Sequence, residues 1–247
     1  MNSITLTKNL IDQRKQAELD NYLKDIWDQV WTNTGELSYA KLRLLKVADK
    51  IKNISQMGVD FRNKHILDIG CGNGMALMYL RKYFDIVGVG VDVSGVVVNE
   101  LKSNINDLKL SFSVGDHRNL SMLKSNQFDI VLSFGVIEHF EEYCLALCEA
   151  RRVLKLGGIL VLIQPHLLSF GIIQECLLRI RNKWKFGKQK DFSIYGYRSI
   201  LKHTGFRDIR HMTKVPYRDM WITRILDAIV KFAVPMWGHY LYLIAKK

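Results

Sequence analysis

Ten residues carry the densest chemistry in the chain: His65-Ile-Leu-Asp68-Ile-Gly70-Cys71-Gly72-Asn73-Gly74. Three glycines at alternate positions follow an acid at the end of an apolar run. Glycine lets a ligand approach the main chain with no Cβ in the way. A strand, a glycine turn and a helix start in succession should turn backbone N–H groups toward that ligand. A second acid, Asp92, closes the next apolar run, Ile86-Val-Gly-Val-Gly-Val-Asp92. A carboxylate at a strand end, about twenty residues beyond the glycine turn, can accept both hydroxyls of a ribose. The expected ligand is therefore a nucleoside. The spacing Gly70-x-Gly72-x-Gly74 is not the G-x-G-x-x-G of dinucleotide binding.

These residues need elements to hold them. Ile66, Leu67 and Ile69 read as a buried parallel strand, β-type segments recur at 86–91, 110–114, 128–134 and 159–163, and amphipathic helices fall between them. The helix after the glycines is read over 74–83, with the next one capped by Ser94. A helix over 141–154 precedes Lys155-Leu-Gly-Gly158, read as a helix stop and turn. The last strands are read at 206–211 and 240–245. Two helices, 8–31 and 38–56, come before the first strand, and Trp31, Tyr39 and Arg43 on them are candidate ligand contacts.

At 247 residues and 48% hydrophobic, the chain has room for one large α/β core. No segment reads as a signal peptide or membrane span, so a cytoplasmic protein is expected. The four cysteines, 71, 144, 148 and 176, form no C-x-x-C pair and read as reduced thiols, mostly buried. The net charge of +12 is unevenly placed: residues 1–150 hold 17 Lys/Arg and 19 Asp/Glu, residues 151–247 hold 19 and 5. Such asymmetry points to an anionic partner on the C-terminal part. Residues 167–192 combine an apolar stretch with six basic residues, Trp184 and Phe186, as an interfacial segment does. Residues 220–236 leave only a narrow polar stripe, Thr223, Asp227 and Lys231, so this helix should meet something apolar on most sides: the 167–180 stretch, a second subunit or lipid.

The blocks at 65–74, 86–92, 128–139 and 152–160, in that order and spacing, resemble the class I S-adenosylmethionine-dependent methyltransferases. The resemblance covers roughly residues 60–165. Ile137-Glu138-His139 places it nearest the type 11 branch that includes the ubiquinone-biosynthesis O-methyltransferases. It implies a Rossmann-like fold: a seven-stranded, mostly parallel sheet with helices on both faces and an N-terminal helical cap. On that pattern residues 1–58 form the cap and 59–247 the methyltransferase domain, with the 167–192 insertion. S-adenosyl-L-methionine is the implied cofactor, held by Asp68, Gly70, Cys71, Gly72, Gly74, Asp92, Val93, Asp116, His117, Ser133 and Phe134. Asp116 would accept from the adenine amino group. An oxygen nucleophile needs its proton removed, and His139 and His166 are the histidines read at the strand ends. The branch associates a Glu-x-x-Glu-His arrangement with a divalent metal. Here Gly135 replaces the first acid, and two ligands from one short segment are too few, so no metal is expected.

The strand read at 128–134 is followed by neither Asn/Asp-Pro-Pro-Tyr/Phe nor Pro-Cys, which disfavours base methylation. The expected reaction is methyl transfer to a hydroxyl of a small-molecule, lipid, isoprenoid or glycan-precursor acceptor. The enzyme would work as a peripheral protein on the inner face of a membrane, in contact through 167–192 and 220–236, with a homodimer as a further option. An RNA methyltransferase using its basic half and a non-catalytic cofactor-binding module are the alternatives.

Overall fold

The computed structural model describes residues 21, 24, 25, 28, 40–169, 176, 178–181, 189, 190, 192–215 and 221–247, without the side chains of 40–43 and 221–224. Most of the helix read over 8–31, the side chains of Trp31, Tyr39 and Arg43, and most of the 167–192 segment lie outside the described residues.

The first described helix is α1 (Ala40–Gln56), followed by β1 (His65–Ile69), α2 (Met75–Phe84), β2 (Val87–Asp92), α3 (Gly95–Asn104) and β3 (Leu110–Val114). Then come β4 (Phe128–Phe134), a 3-10 turn (Ile137–His139), α4 (Tyr143–Val153) and β5 (Leu154–Pro165). The chain ends with α5 (Ile194–His203), β6 (Arg207–Lys214), α6 (Trp221–Ala233) and β7 (Tyr240–Lys246).

The seven strands form one sheet in the order β3-β2-β1-β4-β5-β7-β6. All pairs are parallel except those of β7, which runs antiparallel to both neighbours. The order reverses between β1 and β4, where a doubly wound sheet opens a crevice beyond its carboxyl ends. Two apolar clusters cover the two faces. One contains Leu67, Val131, Leu147 and Leu243, the other Ile66, Leu77, Leu132 and Ile244. The alternation of Ile66 and Leu67 between them is the period-two pleat of a strand buried on both faces.

The central expectations hold to within a residue or two, and Ser94 caps α3 by accepting from the Val97 amide. One stretch differs. Helix α4 stops at Val153, and Lys155–Gly158 lies inside β5, not in a turn before it. Leu154 pairs with Phe128, the register shifts, and pairing resumes at Ile159 with Ile130. Gly157, at φ +75°, absorbs the irregularity. Lys155 bonds Asp129 at 2.8 Å and Asp129 also accepts from the His65 amide, so three strands are tied at this end. The thiols differ too: Cys71 is buried, but Cys148 and Cys176 are exposed and Cys144 is half-buried.

Candidate active site

The loop after β1 turns on three left-handed glycines, Gly70, Gly72 and Gly74, at φ +69°, +50° and +68°. A Cβ on Gly70 would stand 2.3 Å from Cγ2 of Val136. The turn thus brings two loops to within one side chain of each other, which only glycine permits. Four of the loop amides are taken by the protein itself. Gly70 and Cys71 both donate to the Val91 carbonyl, Gly74 donates to the Cys71 carbonyl, and Gly72 donates to Asp92. What the glycines supply is a bare surface of main chain.

Asp92 supplies the polar contact. Its Oδ2 accepts from the Gly72 amide at 2.8 Å and its Oδ1 from the Ser94 amide at 2.9 Å. Each oxygen keeps a further lone pair, and two backbone bonds fix the carboxylate's direction. Burial pushes Asp92 up, and the two amides oppose that. Asp68 is buried more deeply. Burial, with the Asp92 charge second, pushes it up to about 7 against the pull of Lys50.

These groups border a cavity of about 310 Å³. Of the residues expected to hold the cofactor, Asp68, Gly70, Cys71, Gly72, Asp92, Val93, His117 and Phe134 line it. Gly74 stands behind it as the residue that starts α2. Asp116 does not line it. Its carboxylate is taken by Arg118, whose Nε lies 3.0 Å from both oxygens, and the chain's contribution here is His117. The His117 ring packs edge-on against Phe140, centroids 3.9 Å apart. Ser133 is buried within β4 and absent from the lining.

The two histidines separate. His139 lines the cavity, with Nε2 3.9 Å from Glu138 Oε1. His166 is fully buried, does not line the cavity, and places Nδ1 3.2 Å from the Gly238 carbonyl. Burial lowers its basicity. It is a tie between the end of β5 and the entry to β7.

Lining residues that escaped the sequence reading include Val47 and Lys50 of α1, Met75 and Ala76 of α2, and Phe140. Lys50 lies 5.4 Å from the Phe134 ring centroid and 5.8 Å from that of Tyr240, with Asp68 and Glu138 as its nearest opposite charges. Burial lowers its pKa. The signal was present: Lys50 stands three residues beyond Val47 and four before Ile54, on the apolar face of the helix. Among the described residues, no group of three or more His, Cys, Asp or Glu is placed to hold a metal ion.

Residues 67–162 match a methyltransferase domain family. They belong to the class I S-adenosylmethionine-dependent methyltransferases. The ubiquinone biosynthesis O-methyltransferase of Coxiella burnetii is 29% identical over 110 residues, 44% of this chain and 43% of that protein. The match thus spans less than half the length of these curated relatives. A chain of the complex between the Haloferax volcanii Trm112 methyltransferase activator and its methyltransferase superposes with a TM-score of 0.67 at 21% identity, covering 89% of this chain and 96% of that one. A phosphoethanolamine N-methyltransferase of Haemonchus contortus, solved with S-adenosylhomocysteine, gives 0.59 at 17% identity over 81% and 53%. At these identities the structures establish the fold. The cofactor fits this methyltransferase domain on the chain's own geometry: main chain without side chains at Gly70 and Gly72 lining the cavity, and a fixed carboxylate beside it.

Proposed function

We propose that this protein transfers a methyl group from S-adenosylmethionine to a hydroxyl of a small-molecule, lipid, isoprenoid or glycan-precursor acceptor, at a cytoplasmic membrane face. One observation carries the reading: the Asp92 carboxylate, held by the Gly72 and Ser94 amides, faces the same cavity as His139. When bound, the cofactor supplies an electrophilic methyl on a sulfonium. Asp92 takes the ribose hydroxyls. Gly70 and Gly72 admit the ligand against the main chain. Asp68 and Lys50 would meet the zwitterionic methionine end, whose ammonium would favour the ionised form of Asp68. Val47, Phe134, Val136 and Phe140 exclude water from the acceptor side. His139 stands where an attacking hydroxyl would lose its proton, and a neutral imidazole suits that transfer. Alignment in an apolar cavity supplies much of the remaining acceleration.

Incubation with labelled methyl donor and fractionated cell extract tests the reading. Label should enter the lipid-soluble or small-molecule fraction. His139→Gln should slow incorporation by about a hundredfold or more, with S-adenosylhomocysteine affinity unchanged by calorimetry. An unchanged rate removes His139 from proton transfer.

An RNA acceptor is the second reading. It is favoured by a basic groove lined by Arg198, Lys202, Arg207, Arg210 and Lys246. Label removed by ribonuclease would establish it in place of the first. Cofactor binding with no incorporation in any fraction would mark a binding module.

A further inference from the structure

Helix α6 is inside out. Its polar stripe faces the protein. Asp227 is 1% exposed and accepts from Trp237 Nε1 at 2.9 Å. One turn on, Lys231 Nζ donates to the Thr213 carbonyl and hydroxyl and to the Trp237 carbonyl, each within 2.8 Å. Its apolar side faces out: Ile225, Leu226, Ile229 and Phe232 are exposed, Ile229 at 61% and Phe232 at 93%. A helix on a sheet ordinarily turns these faces the other way. Here the polar stripe is used up as an anchor, so the apolar face is left for something else. Exposed apolar surface of this kind marks a contact.

Its place in the fold narrows the partner. Strands β5 and β6 both run antiparallel to β7, so β6 ends at the edge of the sheet where β1, β4 and β5 end. Helix α6 joins that end of β6 to the start of β7, and so stands at the same end as the cofactor cavity. Tyr240, the first residue of β7, shares the Lys50 ammonium with cavity-lining Phe134. Beside the link, the Leu168 carbonyl accepts from the Gly238 amide, and Leu167 and Leu168 are exposed as well. Residues 167–192, which follow β5 at this end, carry six Lys/Arg in sequence, and Lys214, the last residue of β6, is close enough to Lys231 for its charge to act on it. An apolar face in a basic setting is complementary to an anionic bilayer, whose surface attracts each nearby Lys or Arg while its acyl boundary accepts the side chains.

We propose that the outward face of α6, centred on Ile229 and Phe232, docks this protein on an anionic lipid surface and turns the mouth of the cofactor cavity toward it. The inference rests on the membrane-face part of the function proposed above and narrows the contact to the outward face of α6. An acceptor carried in the bilayer would then reach the methyl donor without crossing water.

Flotation of the full chain with vesicles of phosphatidylglycerol and phosphatidylcholine tests it, with phosphatidylcholine alone as control. The protein should float with the anionic vesicles at low salt. Ile229→Glu with Phe232→Glu should lower the bound fraction about tenfold or more, with S-adenosylhomocysteine affinity unchanged as the measure of an intact domain. Flotation of parent and variant alike would overturn the α6 contact and leave the membrane reading to another segment. Absence of flotation by the parent would overturn both, while methyl incorporation judges the chemistry separately. A parent that elutes at twice its mass, and a variant at once, would assign the face to a second copy and overturn the lipid contact.

Discussion

Asp68 and Asp92 end adjacent strands, border one cavity and differ in what holds them. Asp92 has two backbone amides to keep its charge in place. Asp68 has Lys50 as its nearest opposite charge and sits deeper, so its carboxyl keeps a proton up to about 7. In an unfolded chain the same group ionises near about pH 4. Between these two values the folded protein holds the extra proton. The contribution of Asp68 to ligand-free stability therefore falls as pH rises from about 4 to 7 and levels off above. Asp68→Asn lacks this slope. Its melting temperature should match the parent's near pH 4 and exceed it by several degrees at pH 8, read by scanning calorimetry. A gap that does not change with pH would mean that the Asp68 carboxylate is ionised throughout. Both acids were legible in the sequence, because an acid interrupting an apolar run at a strand end is conspicuous. Lys50 was legible only through its place on the apolar face of its helix, a signal easily missed because a lysine among charges on a helix looks solvated until the sheet beneath that helix is in place. Asp116 was legible as a strand-end acid, but its pairing with Arg118, two residues on, was not.

Among the elements, the turn between β1 and α2 has the least freedom. Gly70 combines φ +69° with a close approach to Val136. Two separate costs would meet a methyl group there. Left-handed backbone costs a non-glycine residue about 1 kcal/mol or more, and the contact at 2.3 Å forces Val136 or its loop to shift. Since Val136 also lines the cavity, the shift enters the ligand's space. Gly70→Ala should lose S-adenosylhomocysteine affinity by at least tenfold in calorimetry, while Gly70→Ala with Val136→Ala recovers part of the affinity and none of the backbone strain. No recovery would mean that the backbone alone sets the effect. Elements whose signal is local were legible at this scale: the glycines, the Ser94 cap and the short apolar strands. The start of β5 was not. Lys155-Leu-Gly-Gly158 has the composition of a helix stop, and only pairing of Leu154 with Phe128 across the sheet makes it strand. The orientation of α6 was also hidden, because a narrow polar stripe does not say whether it faces water or Thr213.

At the scale of the molecule, the sheet separates two kinds of surface. The cavity and α6 occupy the end where the parallel strands finish. The basic groove lies at the other end, beside Ile159 where β5 begins to pair with β7, the first residue of β6, Arg207, and the last of β7, Lys246. Three of its cations already have structural work: Arg210 donates to the Met57 carbonyl, Arg198 lies against His211, and Lys246 faces Asp208. Lys202 and Arg207 are the ones to change. If a lipid or small acceptor enters at the cavity end, Lys202→Glu with Arg207→Glu should leave methyl incorporation, cofactor affinity and vesicle association within about twofold, because charges beyond a Debye length of roughly 10 Å are largely screened. If the groove instead tracks RNA phosphate, the same pair should cut RNA binding and reduce the slope of log affinity against log salt by about two. Incorporation and the salt slope, measured on one variant, separate the two readings, since the excess charge of residues 151–247 can serve a polyanion at the groove or a bilayer at α6, and the sheet keeps these surfaces at opposite ends.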